Sequence, residues 1–423
     1  MIHSRGMDSA QIFLRRLSDP RILVLLLIFA TTLVYARSLQ NNFVEWDDNY
    51  LIVENQTAHG ISGTNLARAF TTFDPELYVP LALVSFQAEY MIAGTEPLLY
   101  HVDNLLLHIF NAILVFFLCL RLSGRRWQAF SIALLFALHP LSVEAVAWMS
   151  SRKDLLCWFF ALGSLHLYLS FLQTEKRKWL WMSALLFALS LLSKVSGILL
   201  PLVLLLLDWQ RQRQPSLRVF VEKAPFFLLS LVFGIIGIAG KLQVPAAPSQ
   251  QIYEVTSANT APLIDGLWEM FFLLGKFIWP HPLAILHPLS AFSPMQPSVL
   301  AALLLVSAAV AFGWYRGNIR NVLFGLGFAA LFVLPSLGLS HVYLPSEKYL
   351  YLSLTGLLFS FASAFFPSPT RNRTPTQALF LIVLISLLTL TSAVLTSSRS
   401  LTWHDSSTLF QTLSATYPGL HHP

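Results

Sequence analysis

The chain has 423 residues, of which 55% are hydrophobic and only 11% charged, with a mean hydropathy of +0.63. So much apolar surface cannot be covered in a soluble globular domain, so the composition excludes one and predicts an all-α polytopic membrane protein. The net charge of +6 reads as the Lys and Arg excess of cytoplasmic loops and anionic headgroups, not as a nucleic-acid surface.

In chain order, apolar runs predict spans near 22–36, 100–120, 128–139, 155–172, 179–193, 196–209, 225–240, 298–315, 322–338, 349–366 and 377–396, about eleven crossings by hydropathy. The first run follows Arg15, Arg16 and Arg21 and lacks a small-residue cleavage site, so it is expected to be retained as a span with a cytoplasmic N-terminus. The basic clusters Arg121/Arg125/Arg126, Lys176/Arg177/Lys178, Arg211/Arg213/Arg218/Lys223, Arg316/Arg320 and Arg371/Arg373 fall on that same side. Residues 263–286 contain Lys276 and the break Pro280-His281-Pro282, and are expected to form an interfacial or re-entrant helix on the outer side. Cys119 and Cys157 lie within apolar runs and carry no redox information.

The most informative stretch is Asn41-Asn42-Phe43-Val44-Glu45-Trp46-Asp47-Asp48-Asn49-Tyr50, which sets three carboxylates just after the first span. Acids clustered at a membrane boundary cost desolvation and repulsion, which marks Glu45, Asp47 and Asp48 as candidate catalytic residues. They open an outer loop, residues 37–99, in which 63–73 and 80–92 read as short amphipathic helices on the membrane; Asn55-Gln56-Thr57 within it is formally a glycosylation sequon. The second span carries His101, Asn104, His108 and Asn111 on one helical face, a polar stripe that must meet either protein or a water-filled cavity.

Three further outer junctions set cations beside small or acidic residues. They are His139-Pro140-Leu141-Ser142-Val143-Glu144-Ala145 leading to Ser150-Ser151-Arg152-Lys153-Asp154, then Ser193-Lys194-Val195-Ser196-Gly197, then Pro345-Ser346-Glu347-Lys348-Tyr349. Taken singly each cation reads as a snorkelling boundary residue and each acid as a helix cap. Their recurrence on one face points instead to convergence around an anionic group. No Gly-rich phosphate loop, Ser/His/Asp arrangement or Cys/His metal spacing occurs, and the His-Pro pairs at 139, 281, 287 and 422 lack ligand periodicity, so no tightly held metal is expected. Residues 399–423 leave the last span as one short amphipathic helix followed by Pro418.

The ordered set Trp46-Asp47-Asp48 with Tyr78-Val79-Pro80-Leu81, Tyr100-His101-x-x-Asn104-x-x-x-His108, His139-Pro140-Leu141-Ser142-Val143-Glu144, Ser151-Arg152-Lys153-Asp154, Ser193-Lys194-x-x-Gly197 and Glu347-Lys348-Tyr349-Leu350 resembles the transmembrane-and-tetratricopeptide-repeat (TMTC) family of protein O-mannosyltransferases and its bacterial relatives, in the GT-C glycosyltransferase superfamily. The resemblance implies a GT-C fold over residues 1–400, with 37–99 as the catalytic outer loop and 401–423 as a tail where the repeats would begin. It further implies transfer of mannose or another hexose from a polyprenyl-phosphate carrier to an acceptor on the outer or lumenal face. The family's catalytic acid carries over to Asp47 or Asp48, and its carrier-phosphate residues to Arg152, Lys153, Lys194 and Lys348. His101, Asn104, His108, His139, Glu144, Glu347 and Tyr349 are then expected to line the cavity. The chain departs from the pattern at Val195, where relatives often carry Glu, and has no helical repeat of about 34 residues.

Polyprenyl phosphate is a good leaving group, so inverting transfer needs one base, Asp47 or Asp48, with Glu45 in support and cations on the departing phosphate. No tightly bound cofactor is expected, the sugar-charged carrier is the donor, and need for a divalent metal stays open. The acceptor is expected to be protein Ser or Thr or else a glycan, with the bilayer and a repeat-bearing partner as further associations. The expected site is the bacterial inner membrane, or the endoplasmic reticulum in a eukaryote. Competing readings are a polyprenyl-linked sugar flippase, a cell-surface polysaccharide or lipid glycosyltransferase, and a membrane scaffold without catalysis.

Overall fold

A computed structural model describes residues 18–75, 77–243, 262–285, 287, 295–337, 346–366 and 375–418. Arg371 and Arg373, the residues N-terminal to Ser18, Pro345 and the His-Pro pair at 422 lie outside them.

Helix α1, Pro20–Tyr35, starts where Asp19 accepts the Arg21 N–H at 2.8 Å and Pro20 needs no partner for a missing donor. The outer loop carries α2 (Gly63–Thr71) and α3 (Pro80–Ala93). Helix α4 (Pro97–Ser123) ends at Gly124, whose φ of 69° turns the chain into α5 (Arg126–Leu138). After the short α6 (Val143–Ala147), helices α7 (Arg152–Thr174) and α8 (Arg177–Ser193) form an antiparallel pair tied by Ser164 and Ser183, which exchange hydroxyl-to-carbonyl hydrogen bonds at 2.8 Å. Then follow α9 (Leu200–Gln210), α10 (Leu217–Val221), α11 (Ala224–Gln243), α12 (Pro262–Ile278), α13 (Pro297–Tyr315), α14 (Ile319–Val333), α15 (Ser353–Phe365), α16 (Pro375–Ser400) and α17 (Ser406–Thr416). Helices α14 and α15 touch backbone to backbone: a Cβ at Gly325 would stand 2.5 Å from the Gly356 carbonyl, and one at Gly356 equally close to the Gly325 carbonyl.

Among the described residues, six helical stretches are long and apolar enough to cross a bilayer: Pro20–Gln40, Pro97–Ser123, Met149–Thr174, Pro297–Tyr315, Ile319–Ser336 and Leu379–Trp403. The pair Arg126–Leu138 and Pro140–Ala147, bent by 55°, makes a seventh if it is one span, and Val195–Gln210, Ala224–Gly240 and Ser353–Phe365 are shorter apolar helices. With α8 these account for every apolar run read from the sequence. The protein is an all-α, multi-pass membrane protein. Leu25, Phe29, Leu33 and Leu387 stay more than 60% exposed and form a lipid-facing surface.

The bundle has two chemically distinct ends. At one, Arg121 donates to the His166 carbonyl at 2.7 Å, Arg211 to the Arg121 carbonyl at 2.7 Å, and Arg125 and Arg316 to the carbonyls of Phe366 and Phe365. Asp208, Lys223, Arg213 and Glu222 form an ion network at the same end. At the other end lie the acid loop and residues 139–154, 194–197 and 346–350. Helix α12 packs there, with Phe272 and Leu273 against Leu141, Val333 and Leu350. Of the two loop helices, α2 is amphipathic, whereas α3 turns Gln87 and Glu89 into the protein interior.

Candidate active site

The two adjacent acids have opposite environments. Asp48 is 1% exposed and fully committed: one oxygen accepts the Ser150 N–H at 2.9 Å and its hydroxyl at 2.6 Å, and the other accepts the Val44 N–H at 3.1 Å. Burial pushes its carboxyl up to about 6, against the pull of these hydrogen bonds and with help from the Asp47 charge. Asp48 thereby fastens the loop to residues 148–151. Asp47 instead lines a small cleft with Tyr50, Leu51, Pro75, Leu77, Val79 and Lys153. Its carboxylate stands 3.4 Å from the Lys153 ammonium and retains 17% exposure. Glu45 is exposed and is not among the residues lining this cleft.

Three of the four candidate cations gather around the Trp148 and Tyr349 rings, and one of them, Lys153, reaches Asp47. Lys153 and Lys348 lie over the Trp148 ring, at 5.9 and 4.0 Å from its centroid, and Lys348 and Lys194 lie over Tyr349, at 5.8 and 5.4 Å. Each has an acid: Lys153 has Asp47, Lys194 has Asp154 at 2.6 Å, and Lys348 has Glu144 at the looser distance of 4.0 Å. Burial lowers the Lys348 ammonium from its ordinary value while Glu144 opposes the drop. For Lys194 burial also works downward and is the largest influence, but Asp154 together with Tyr349 holds the ammonium above its ordinary value.

Arg152 does not join them. It is 1% exposed and points into the bundle, donating to Glu89 at 2.8 Å, to the Tyr100 carbonyl at 2.9 Å and to the Asn104 side-chain oxygen. Glu89, a residue without any distinguishing pattern in the sequence, is pushed up to about 7 by burial, with Arg152 pulling the other way. Arg152 thus binds α3 to α4 and α7.

The polar stripe of α4 faces protein. Asn104 donates to the carbonyls of Val146 and Trp148, His108 meets the Tyr351 hydroxyl at 2.7 Å and the Ala137 carbonyl at 3.0 Å, and Asn111 donates to the Leu155 carbonyl at 3.1 Å. His101 is buried on the same face. His139 stacks on Phe277 and accepts the Leu141 N–H through Nδ1. Glu144 accepts from the Ser346 hydroxyl and from the Lys348 N–H at 3.1 Å, so it sets the turn that presents Lys348. Glu347 accepts from the Ala284 N–H at 2.9 Å and pairs with His287 at 2.7 Å, with Arg399 at 3.9 Å. Tyr349 is half-buried between Lys194 and Lys348. Asn55 of the formal sequon is buried and donates to Asp74 at 3.1 Å, which leaves its amide inaccessible to modification. Among the described residues, no group of three or more His, Cys, Asp or Glu is arranged to hold a metal ion.

No family model matches the chain. It is 35% identical over 153 residues to the mouse protein O-mannosyl-transferase TMTC1, which is 33% of this chain and 16% of that protein. It is 30% identical over 203 residues to mouse TMTC4, 40% of this chain and 27% of the relative. It is also 28% identical over 256 residues to Tmtc2 of Drosophila melanogaster, 56% of this chain and 26% of the relative. The matched stretch is therefore under a third of each relative's length. The resemblance carried by the motifs is thus present in comparison with these proteins as well.

Proposed function

We propose that this TMTC-like chain is a GT-C glycosyltransferase that moves mannose or another hexose from a polyprenyl-phosphate carrier to a protein Ser or Thr hydroxyl. The observation that carries the reading is one part-exposed carboxylate, Asp47, paired with Lys153 in a cleft, while Lys153 shares the Trp148 ring with Lys348, and Lys348 shares Tyr349 with Lys194. The printed names of the relatives favour mannose and a protein acceptor.

In this mechanism Asp47 takes the proton of the acceptor hydroxyl as its oxygen attacks the anomeric carbon from the face opposite the phosphate. The bond from that carbon to the phosphate oxygen breaks, the configuration inverts, and the carrier leaves as polyprenyl phosphate. Lys348, Lys153 and Lys194 stabilise the charge that develops on the departing phosphate. Lys348 is the most available of the three, because its acid partner is the most distant. Asp48 and Arg152 act as positioning residues. Glu45 has no assigned contact with the reacting atoms. By the Lys and Arg distribution the basic end faces the cytoplasm, and the cleft opens on the periplasmic or lumenal side. A transport reading would draw on the α4 stripe and on Pro-broken helices; Asn104, His108 and Asn111 of that stripe are occupied by hydrogen bonds to Trp148, Tyr351 and Leu155.

The test is transfer of radiolabelled sugar from a panel of polyprenyl-phosphate hexoses, dolichyl and undecaprenyl, to Ser/Thr peptides by the purified protein in detergent. Labelled peptide with release of carrier phosphate, lost in Asp47→Asn, supports the assignment. Sugar transferred to a glycan or lipid instead, with release of the carrier phosphate, would replace the acceptor, and absence of transfer with every donor would overturn the reading.

A further inference from the structure

We propose that residues 400–417 act as a clamp that sets the position of the acid loop relative to the lysines, with Ser406 as the positioning residue nearest the acids. The inference rests on the reading of Asp47 and the lysines as the active site. Four contacts tie 41–46 to this segment, immediately before Asp47. The Asn41 side chain donates to the Ser400 carbonyl at 3.1 Å, the Asn42 N–H to the His404 carbonyl at 2.8 Å and the Glu45 N–H to the Ser406 hydroxyl at 2.8 Å. The Trp46 ring lies 6.2 Å from that of Phe410.

The same segment reaches the cation side. Trp403 stacks on Trp148, the ring under Lys348 and Lys153, at 5.4 Å and 18°. The Tyr417 hydroxyl meets His287 Nδ1 at 2.6 Å, and His287 in turn holds Glu347, the neighbour of Lys348. Asp405 caps α17 by accepting the Thr408 N–H at 2.7 Å, which fixes the start of the helix that carries Phe410 and leads to Tyr417. One short element therefore touches the backbone that presents the base and the rings and turn that present the cations. Residues 41–46 are also held from the bundle side, by the Val44 N–H on Asp48 at 3.1 Å and by Phe43 edge-on to Tyr100 at 5.4 Å, so the segment 400–417 braces the opposite flank of the loop.

The consequence is that base and cations share one bracing element, and their register loosens when this segment undocks. A displacement of the order of an ångström at a general base costs turnover without weakening carrier binding. The test combines hydrogen exchange of the amides of residues 42–48 with steady-state kinetics, using polyprenyl-phosphate mannose as the probe. Ser406→Ala removes one hydrogen bond and is expected to speed exchange of these amides about fivefold, with amides of α4 unchanged as the folded control. It is expected to lower kcat with an unchanged donor KM, and Ser406→Thr, which keeps the hydroxyl, is expected to restore both. Asn41→Ala cuts the loop's bond to Ser400 without touching α17 and must give the same signature. Unchanged exchange at 42–48 in both alanine variants overturns the clamp, and so does faster exchange with an unaltered kcat. If the wild-type protein transfers nothing, the functional reading fails, and the exchange experiment alone decides whether the segment holds the loop.

Discussion

Replacing Asp47 and Asp48 separately by Asn should produce two different defects. Asp47 has one ion-pair partner, Lys153 at 3.4 Å, in a partly exposed setting, so its loss costs the fold about 1 kcal/mol or less. As the base, however, it is worth about 10²- to 10⁴-fold in turnover. Asp48→Asn keeps an oxygen for Ser150 but turns an NH2 toward the Val44 N–H, and that unsatisfied donor costs about 1–3 kcal/mol, partly offset by removing a buried charge. Turnover then falls because the loop shifts, and Ser150→Ala, which removes a bond to the same carboxylate, should give a milder copy of Asp48→Asn. The assay is radiolabelled mannose transfer from the polyprenyl carrier, run beside the apparent melting temperature of each variant in the same detergent. Wild-type turnover in Asp47→Asn would refute the reasoning. So would an Asp48→Asn protein that melts like wild type, transfers nothing and is not imitated by Ser150→Ala, because that pattern belongs to a base at Asp48.

The remaining expectations follow the same geometry. Lys194→Met strips the partner from Asp154, whose side chain is 2% exposed, and should destabilise by about 3–5 kcal/mol, whereas Lys153→Met leaves only the more exposed Asp47 and should shift the melting temperature little. Both should raise the KM for the carrier, which titration with the sugar-free polyprenyl phosphate would check. Arg152→Ala leaves Glu89 buried without its cation and should cost a similar 3–5 kcal/mol, roughly recovered when Glu89→Leu is added; failure of the second change to rescue would refute a pairing role. The Asp48 carboxyl is higher in the folded protein, about 6, than in an unfolded chain, so ionising it opposes folding. Its contribution is therefore fully present below pH about 4 and fades as pH rises through about 6, by roughly 3 kcal/mol, and the melting curve of Asp48→Asn should lack that decline.

Hydropathy and charge placed nearly all of the helices, because whether a stretch can sit in lipid depends on its own side chains and backbone. The basic clusters marked one end of the bundle for the same reason, and the three junctions at 150–154, 193–197 and 346–349 were visible as cations recurring at the opposite end. Sequence could not separate Asp47 from Asp48: neighbouring side chains point different ways, and which of them is buried depends on partners more than a hundred positions away, Ser150 for one and Lys153 for the other. Arg152 and Lys153 illustrate the same limit, one turned into the bundle toward Glu89 and the other out toward Asp47. The α4 stripe was legible as a polar face, but only the packing of Tyr351, Val146 and Leu155 against it showed that protein, rather than a cavity, meets Asn104, His108 and Asn111. The docking of Ser400, His404 and Ser406 on the loop left no trace in the sequence, since two of its three hydrogen bonds end on backbone carbonyls that any residue would supply. By itself, then, the sequence determined a helical membrane protein with an acid loop and a cationic face at one end, properties local to each segment. Which carboxylate is free, which cations accompany it and what holds them together were decided by the tertiary structure, because burial and pairing are properties of residues brought together from distant parts of the chain.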